Sequence, residues 1–195
     1  MKAYYEARAA EYDELWLGTG IHGYRDRPGW NEDRDELIAA VAALPPARTV
    51  DVACGTGFLS QHLRGELVLL DQSPSMLEIA SERIPHARAV RADVPPLPFA
   101  DKTFERLFTS FFYGHLEEPK RHEFLAEARR VAGELLIVDA APREGSPRDE
   151  WQERVLNDGS RWNVYKRYFS PEQLAAELGD GEVLVANARF LMVRA

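Results

Sequence analysis

The chain has 195 residues, 45% of them hydrophobic and 29% charged, which suits one domain with a substantial core. No apolar run is long enough to cross a bilayer, and the single cysteine, Cys54, excludes an internal disulfide and suits a reducing cytoplasm. A net charge of −8, with Arg129-Arg130 the nearest approach to a basic run, repels phosphate backbones and argues against a nucleic-acid substrate.

Tyr5, Ala9, Tyr12 and Trp16 recur at helical spacing and predict a helix over the first fifteen residues. The same stretch carries acids and tyrosines where a signal peptide needs an apolar run, so export is not expected. Residues 17–30 (LGTGIHGYRDRPGW) read as a glycine-rich loop. Asn31 is expected to cap a helix with Glu32, Asp33 and Asp35 in its first turn. Its buried face is Leu37, Ile38, Val41 and Leu44, and Pro45-Pro46 stop it. Strands are predicted at 49–53, 67–71 and 87–92. Ser73-Pro74 opens the intervening helix with a capping hydroxyl and a proline at its first position, and Met76, Leu77, Ala80 and Ile84 form its apolar side.

The second half repeats the alternation. A strand at 104–109 precedes a helix that starts at Pro119, buries Phe124, Leu125, Ala128 and Val131, and ends at Gly133. A strand at 135–138 runs into Asp139. Residues 142–169 read as irregular, with a helix near 149–156. Ser170-Pro171-Glu172-Gln173 is a capping box for a helix reaching Leu178, and 183–186 with 190–193 make a closing hairpin. Strands alternating with helices specify an α/β, Rossmann-like doubly wound sheet covered on both faces, the hairpin adding an antiparallel strand.

The chemistry concentrates at the first two strand ends. Residues 50–60 (VDVACGTGFLS) give strand, glycine turn and helix start, and Leu67-Val68-Leu69-Leu70 runs into Asp71. In an open parallel sheet such ends lie side by side. Bare glycine backbone beside a carboxylate that can accept from a ribose diol is a site for an adenosine-bearing cofactor. A dinucleotide fingerprint wants a third glycine where Ser60 stands, and the P-loop lysine is absent. Structural roles stand beside the functional ones. A strand-end carboxylate also serves as a loop acceptor or helix cap, Asp93 can cap the turn before Pro95-Pro96, Met76 can be core, and Cys54 suits an inert core position.

The motif Asp51-Val52-Ala53-Cys54-Gly55-Thr56-Gly57 resembles the first motif of the class I S-adenosylmethionine-dependent methyltransferases, with Ala53 replacing the first of three alternating glycines. The resemblance continues through LLDQSPSMLEIA (69–80), RADVPPLPF (91–99), FERLFTSFFYGHL (104–116) and GELLIVDA (133–140), covering most of 49–140, and RYFSPEQLAAELG (167–179) is similar to such chains too. It implies a seven-stranded sheet with an antiparallel last strand and S-adenosylmethionine as cofactor. It also implies roles. Gly55 and Gly57, behind Ala53, let the methionine part pass over the turn, Asp51 binds its amino group, and Asp71 takes both ribose hydroxyls. Gln72 and Met76 lie against the adenine, Asp93 and the amide of Val94 hold its edge, Ser110 and Phe111 border the methionine end, and Tyr12 reaches in from the first helix. On this view 1–30 is a lid, 31–140 the cofactor core, 141–169 an acceptor-side insertion and 170–195 the closing helix and hairpin of a single domain.

A sulfonium is already a strong electrophile, so the protein mainly aligns the acceptor, which is worth roughly 7–11 kcal/mol in favourable systems. A hydroxyl acceptor needs a base. His115 and His22 are candidates, against the ordinary role of histidine as a surface or capping residue. Thr109-Ser110-Phe111-Phe112 replaces the N/D-P-P-Y/F motif of DNA amino-methyltransferases, and no cysteine follows the fourth strand for cytosine C5 chemistry. A small organic acceptor remains by elimination, with no metal assigned, since nothing compels Glu117 and Asp139 to be ligands. Trp16, Trp30, Trp151 and Trp162 can wall its pocket or cover a core edge. Three alternatives stay open: a non-catalytic S-adenosylmethionine-binding protein, a nicotinamide-dependent oxidoreductase, and aminopropyl transfer on the same fold. The second lacks both the third glycine and a Tyr-x-x-x-Lys pair.

Overall fold

In the computed structural model, which describes residues 2–20, 28–142, 145 and 147–195, the apolar runs form the buried centre of one sheet. Its parallel strands are β1 (Thr49–Val52), β2 (Leu67–Asp71), β3 (Arg88–Arg91), β4 (Phe104–Ser110) and β5 (Ala132–Ala140). β6 (Asp149–Val155) and β7 (Arg161–Arg167) make a separate antiparallel hairpin. β8 (Glu182–Ala186) and β9 (Phe190–Arg194) return to the main sheet, β9 antiparallel to β5, giving the order β3-β2-β1-β4-β5-β9-β8.

Successive strand residues feed opposite faces, as the pleat requires. Val50, Val68, Leu70 and Leu107 join a core with Phe124 and Leu174, from α5 (Glu118–Val131) and α6 (Pro171–Glu177). Leu67, Leu69 and Phe108 join a second core with Leu37 and Leu77, from α3 (Trp30–Ala43) and α4 (Pro74–Arg83). The two serine caps expected from sequence are present: Ser73 accepts from the Met76 amide, and Ser170 with Gln173 closes a full capping box. The strand order reverses at β1, which has β2 on one side and β4 on the other. Ligands bind at such a switch point, outside the carboxyl ends of the strands.

Four local expectations are corrected. The first helix is broken into α1 (Lys2–Arg8), a 3-10 turn at Ala9–Glu11 and α2 (Glu14–Leu17). Asn31 does not cap α3. The helix begins at Trp30, two residues earlier than a cap at Asn31 implies, after Gly29 at φ 75°, a left-handed conformation that glycine adopts without penalty. Gly133 does not end α5, because the chain turns extended at Ala132 and Gly133 lies inside β5. No helix forms near 149–156: that segment is β6.

Candidate active site

The turn after β1 leaves the sheet through left-handed backbone at Ala53 (φ 58°), Gly55 (φ 54°) and Gly57 (φ 72°). An alanine in that region is strained, by about 1–2 kcal/mol. Ala53 and Gly55 line a cleft at the strand ends, whereas Gly57 does not. A Cβ on Gly57 would stand 3.2 Å from Ile84 Cδ1 and 3.4 Å from Ala80 Cβ, so its bareness lets α4 pack against the turn.

Asp71 ends β2 at the cleft wall, 6% exposed. Its Oδ2 accepts from the Gly55 amide and its Oδ1 from the Ser73 amide, both at 2.9 Å. Burial raises its pKa, and these backbone donors oppose the rise. Each oxygen keeps acceptor capacity beyond its backbone donor. Gln72, Met76, Val94, Ser110 and Phe111 continue the wall, together with Ala92 and Phe112, which the motif reading did not single out. Phe111 also has positive φ (54°), local strain of the kind that gathers at functional sites. The space at the strand ends amounts to about 670 Å³ with its open mouth and the solvent there included.

Besides Gly57, two expected residues stand elsewhere. Asp93 is turned to the surface, its side chain 69% exposed and 3.3 Å from Lys2 Nζ. Asp51 is wholly buried and does not form the cleft wall. Its carboxyl accepts from the Ser60 hydroxyl, while Oδ1 has no partner among the described residues. Burial pushes its pKa up to about 8, against the Ser60 bond and with help from the Asp71 charge.

Tyr5 and Tyr12 lean over the cleft from α1 and the turn after it, their ring centroids 6.4 Å apart. With Phe111 they also line a second chamber of about 970 Å³, its mouth included. Trp16 and Trp30 belong to that chamber. Trp162 packs on Tyr4 instead, and Trp151 is 64% exposed beside a groove next to His115. His115 lines the chamber. Its Nδ1 lies 2.6 Å from the Tyr165 carbonyl oxygen, which can only accept, so Nδ1 carries the proton. Burial, then the Lys166 charge, holds the imidazole well below its ordinary pKa, leaving it neutral with Nε2 unprotonated. His22 lies outside the described residues. Asp139 is engaged by Lys166 and by the Gly114 amide, and the described residues contain no cluster of potential metal ligands.

The strand order, the cleft at the switch point and the glycine turn agree with the comparisons to known proteins. The family described as "Methyltransferase domain" matches residues 49–134. Over those residues the chain is similar to that methyltransferase family. A demethylmenaquinone methyltransferase of Renibacterium salmoninarum is 36% identical over 109 residues, 53% of this chain and 45% of that protein. The enzyme of that name from Thermobifida fusca is 32% identical over 153 residues, 73% of this chain and 64% of that one. The chain thus spans about half the length of several methyltransferases it matches. The solved DhpI-SAM-HEP complex shares the methyltransferase fold with a TM-score of 0.80 at 21% identity, over 98% of this chain and 94% of that one. No described helix is long and apolar enough to cross a membrane.

Proposed function

We propose that the chain is a methyltransferase that binds S-adenosylmethionine in the cleft and passes its methyl group to a small molecule held in the second chamber, within a reducing cytoplasm. The observation that carries this reading is the open cleft at the β1 and β2 ends, with a second chamber on the other side of the shared side chains Tyr5, Tyr12 and Phe111. The residues fit the cofactor. Asp51 Oδ1, buried behind the cleft wall and without a hydrogen-bond partner among the described residues, is suited to an ammonium group reached through water. Asp71 keeps lone pairs for two ribose hydroxyls. Gln72, Met76 and Val94 offer a partly apolar slot for adenine, while Ala53 and Gly55 leave the floor nearly bare. When bound, S-adenosylmethionine supplies a methyl group on a positively charged sulfur. Tyr5 and Tyr12 then screen the site from water, and burial raises both phenol pKa values, Tyr12 to about 12, so both stay protonated donors.

Calorimetry with S-adenosylhomocysteine and transfer of labelled methyl into a metabolite extract test the two halves separately. Heat of binding together with labelled product is expected. No heat at millimolar ligand overturns the cofactor assignment. Binding with a persistent blank for transfer leaves only a cofactor-binding protein.

A further inference from the structure

The second chamber has a charge opposite to that of the whole chain. Acids outnumber bases 32 to 24 in the sequence. Yet Arg8, Arg154, Lys166 and Arg189 line the chamber and, among the described residues, no acidic side chain does. Lys166 is answered by buried Asp139, and Arg189 lies 3.8 Å from Asp33. Arg8 and Arg154 make no ion pair among the described residues. Arg8 is 9% exposed, donates to Tyr4 Oη at 2.6 Å and lies 5.1 Å from the Tyr12 ring centroid. Arg154 donates to Gln152 Oε1. A guanidinium taken out of water without a carboxylate is costly, and an anion relieves that cost. The chamber also has an aromatic side, where Trp16 and Trp30 pack on Phe190 with centroids at 5.7 and 5.3 Å.

These cations line the same chamber as Tyr5, Tyr12 and Phe111, the side chains shared with the cleft. Arg8 and Arg154 both act electrostatically on Tyr5, which lines cleft and chamber alike, and with Lys166 they act on His115. That surrounding makes His115 a poor base, because taking a proton places a further positive charge on a buried ring near Arg8, Arg154 and Lys166. An acceptor that must lose a proton is badly served here, and one that arrives ionised needs no base.

Resting on the methyltransferase reading of the cleft, we propose that the acceptor is a small organic acid, a carboxylate or a phosphonate. Arg8 and Arg154 hold its oxyanion, its apolar body lies on Trp16, Trp30 and Phe190, and an oxygen of that anion is the atom methylated. A lone pair on this oxygen forms the oxygen–carbon bond as the methyl–sulfur bond breaks, and the electrons of the broken bond return to sulfur. The acid loses one negative charge as the sulfur loses its positive one, so a carboxylate becomes a neutral ester and a phosphonate dianion a singly charged monoester. The products are a methyl ester and the neutral thioether, and no proton is left to remove.

The test uses the full chain with S-adenosylhomocysteine bound. Butanoate and phenylacetate form one arm, butylphosphonate and benzylphosphonate the other, with butanamide and butylamine as controls. Calorimetry is expected to show binding of acids from at least one arm and of neither control. Arg154→Gln, on the exposed hairpin, is expected to weaken acid binding at least about tenfold while leaving S-adenosylhomocysteine within about twofold, and Arg154→Lys to recover part of the loss. Arg8→Gln is expected to act likewise if circular dichroism shows it folded. In turnover with labelled S-adenosylmethionine, a carboxylate product releases its label as methanol in alkali, and a phosphonate monoester retains it under the same mild treatment. Amine or amide binding equal to the acids, label on an amine, or unchanged acid affinity in Arg154→Gln overturns the organic-acid acceptor and leaves the cofactor reading intact. Failure of the wild type to bind S-adenosylhomocysteine overturns both.

Discussion

Two aspartates from neighbouring strands carry the cofactor argument, and their surroundings give them different work. Asp71 faces the cleft with both oxygens already steadied by amides, so it is an aimed acceptor that needs no reorganisation. Asp71→Ala is expected to weaken S-adenosylhomocysteine by about 2–3 kcal/mol, the worth of hydrogen bonds to a charged group. Circular dichroism should stay unchanged, and unaltered affinity by calorimetry would remove the ribose assignment. Asp51 is a buried carboxyl with its pKa pushed up to about 8. The native state therefore holds a proton that the unfolded chain has given up, and this residue's share of stability falls as pH climbs from about 4 to about 8. An incoming ammonium reverses the preference and drives the proton off. Cofactor binding at pH 7 is expected to release up to about one proton, seen as a dependence of binding heat on buffer ionisation enthalpy. Asp51→Asn should abolish that dependence. A wild type with no proton release would mean that Asp51 is ionised before the cofactor arrives.

At the scale of elements, the N-terminal segment is a strap held at two places. Glu6 on α1 accepts from the hydroxyls of Ser73 (2.6 Å) and Ser75 (2.5 Å) at the start of α4. Asp13 accepts from Thr56 Oγ1 (2.6 Å) in the glycine turn and pairs with Arg83. Tyr5 and Tyr12 lie within this strap and cover the cleft. From the other side the β6–β7 hairpin braces it: the Asn157 amide donates to Glu11 at 2.7 Å, its side chain donates to Glu14 at 2.9 Å, and Trp162 stands 6.0 Å from the Tyr4 ring. A ligand beneath this strap is expected to exchange faster when the strap's anchors are loosened. The double variant Glu6→Ala/Asp13→Ala is expected to raise both association and dissociation rates of S-adenosylhomocysteine severalfold, with a smaller change in affinity. Stopped-flow tryptophan fluorescence reads both rates, since Trp16 lies on α2 within the segment. Unchanged rates would show that the cleft is reached without moving α1.

At the scale of the whole molecule, the parallel half of the fold was legible because buried strands are near-continuous apolar runs. Leu67–Asp71 is read to the residue, and the capping motifs at Ser73 and Ser170 fix two helix starts. The β6–β7 hairpin was not legible. DEWQERV alternates between exposed and half-buried positions with polar side chains on both, so no apolar period of two marks it as a strand. The cleft residues near the motif could be read from it, but Arg8, Arg154 and Lys166 could not, since only the tertiary fold gathers them. One signal was present: Tyr5, Arg8 and Tyr12 recur at helical spacing, a single face.

The same scale gives a last expectation. A chain of charge −8 attracts a cation and is indifferent to a neutral molecule. S-adenosylmethionine, with its sulfonium, carries one more positive charge than S-adenosylhomocysteine, while their nucleoside and amino-acid parts are the same. The field of the whole chain therefore favours the substrate form of the cofactor over the product form, and salt removes the difference. Raising ionic strength from about 0.01 M to about 0.15 M shortens the screening length from about 30 Å to about 8 Å. S-adenosylmethionine affinity is expected to fall over that range while S-adenosylhomocysteine affinity changes little, as measured by parallel calorimetric titrations. Equal salt dependence for the two would mean that the acidic surface plays no part in exchanging product for substrate, and that the carboxylates at positions 51 and 71 act by contact alone.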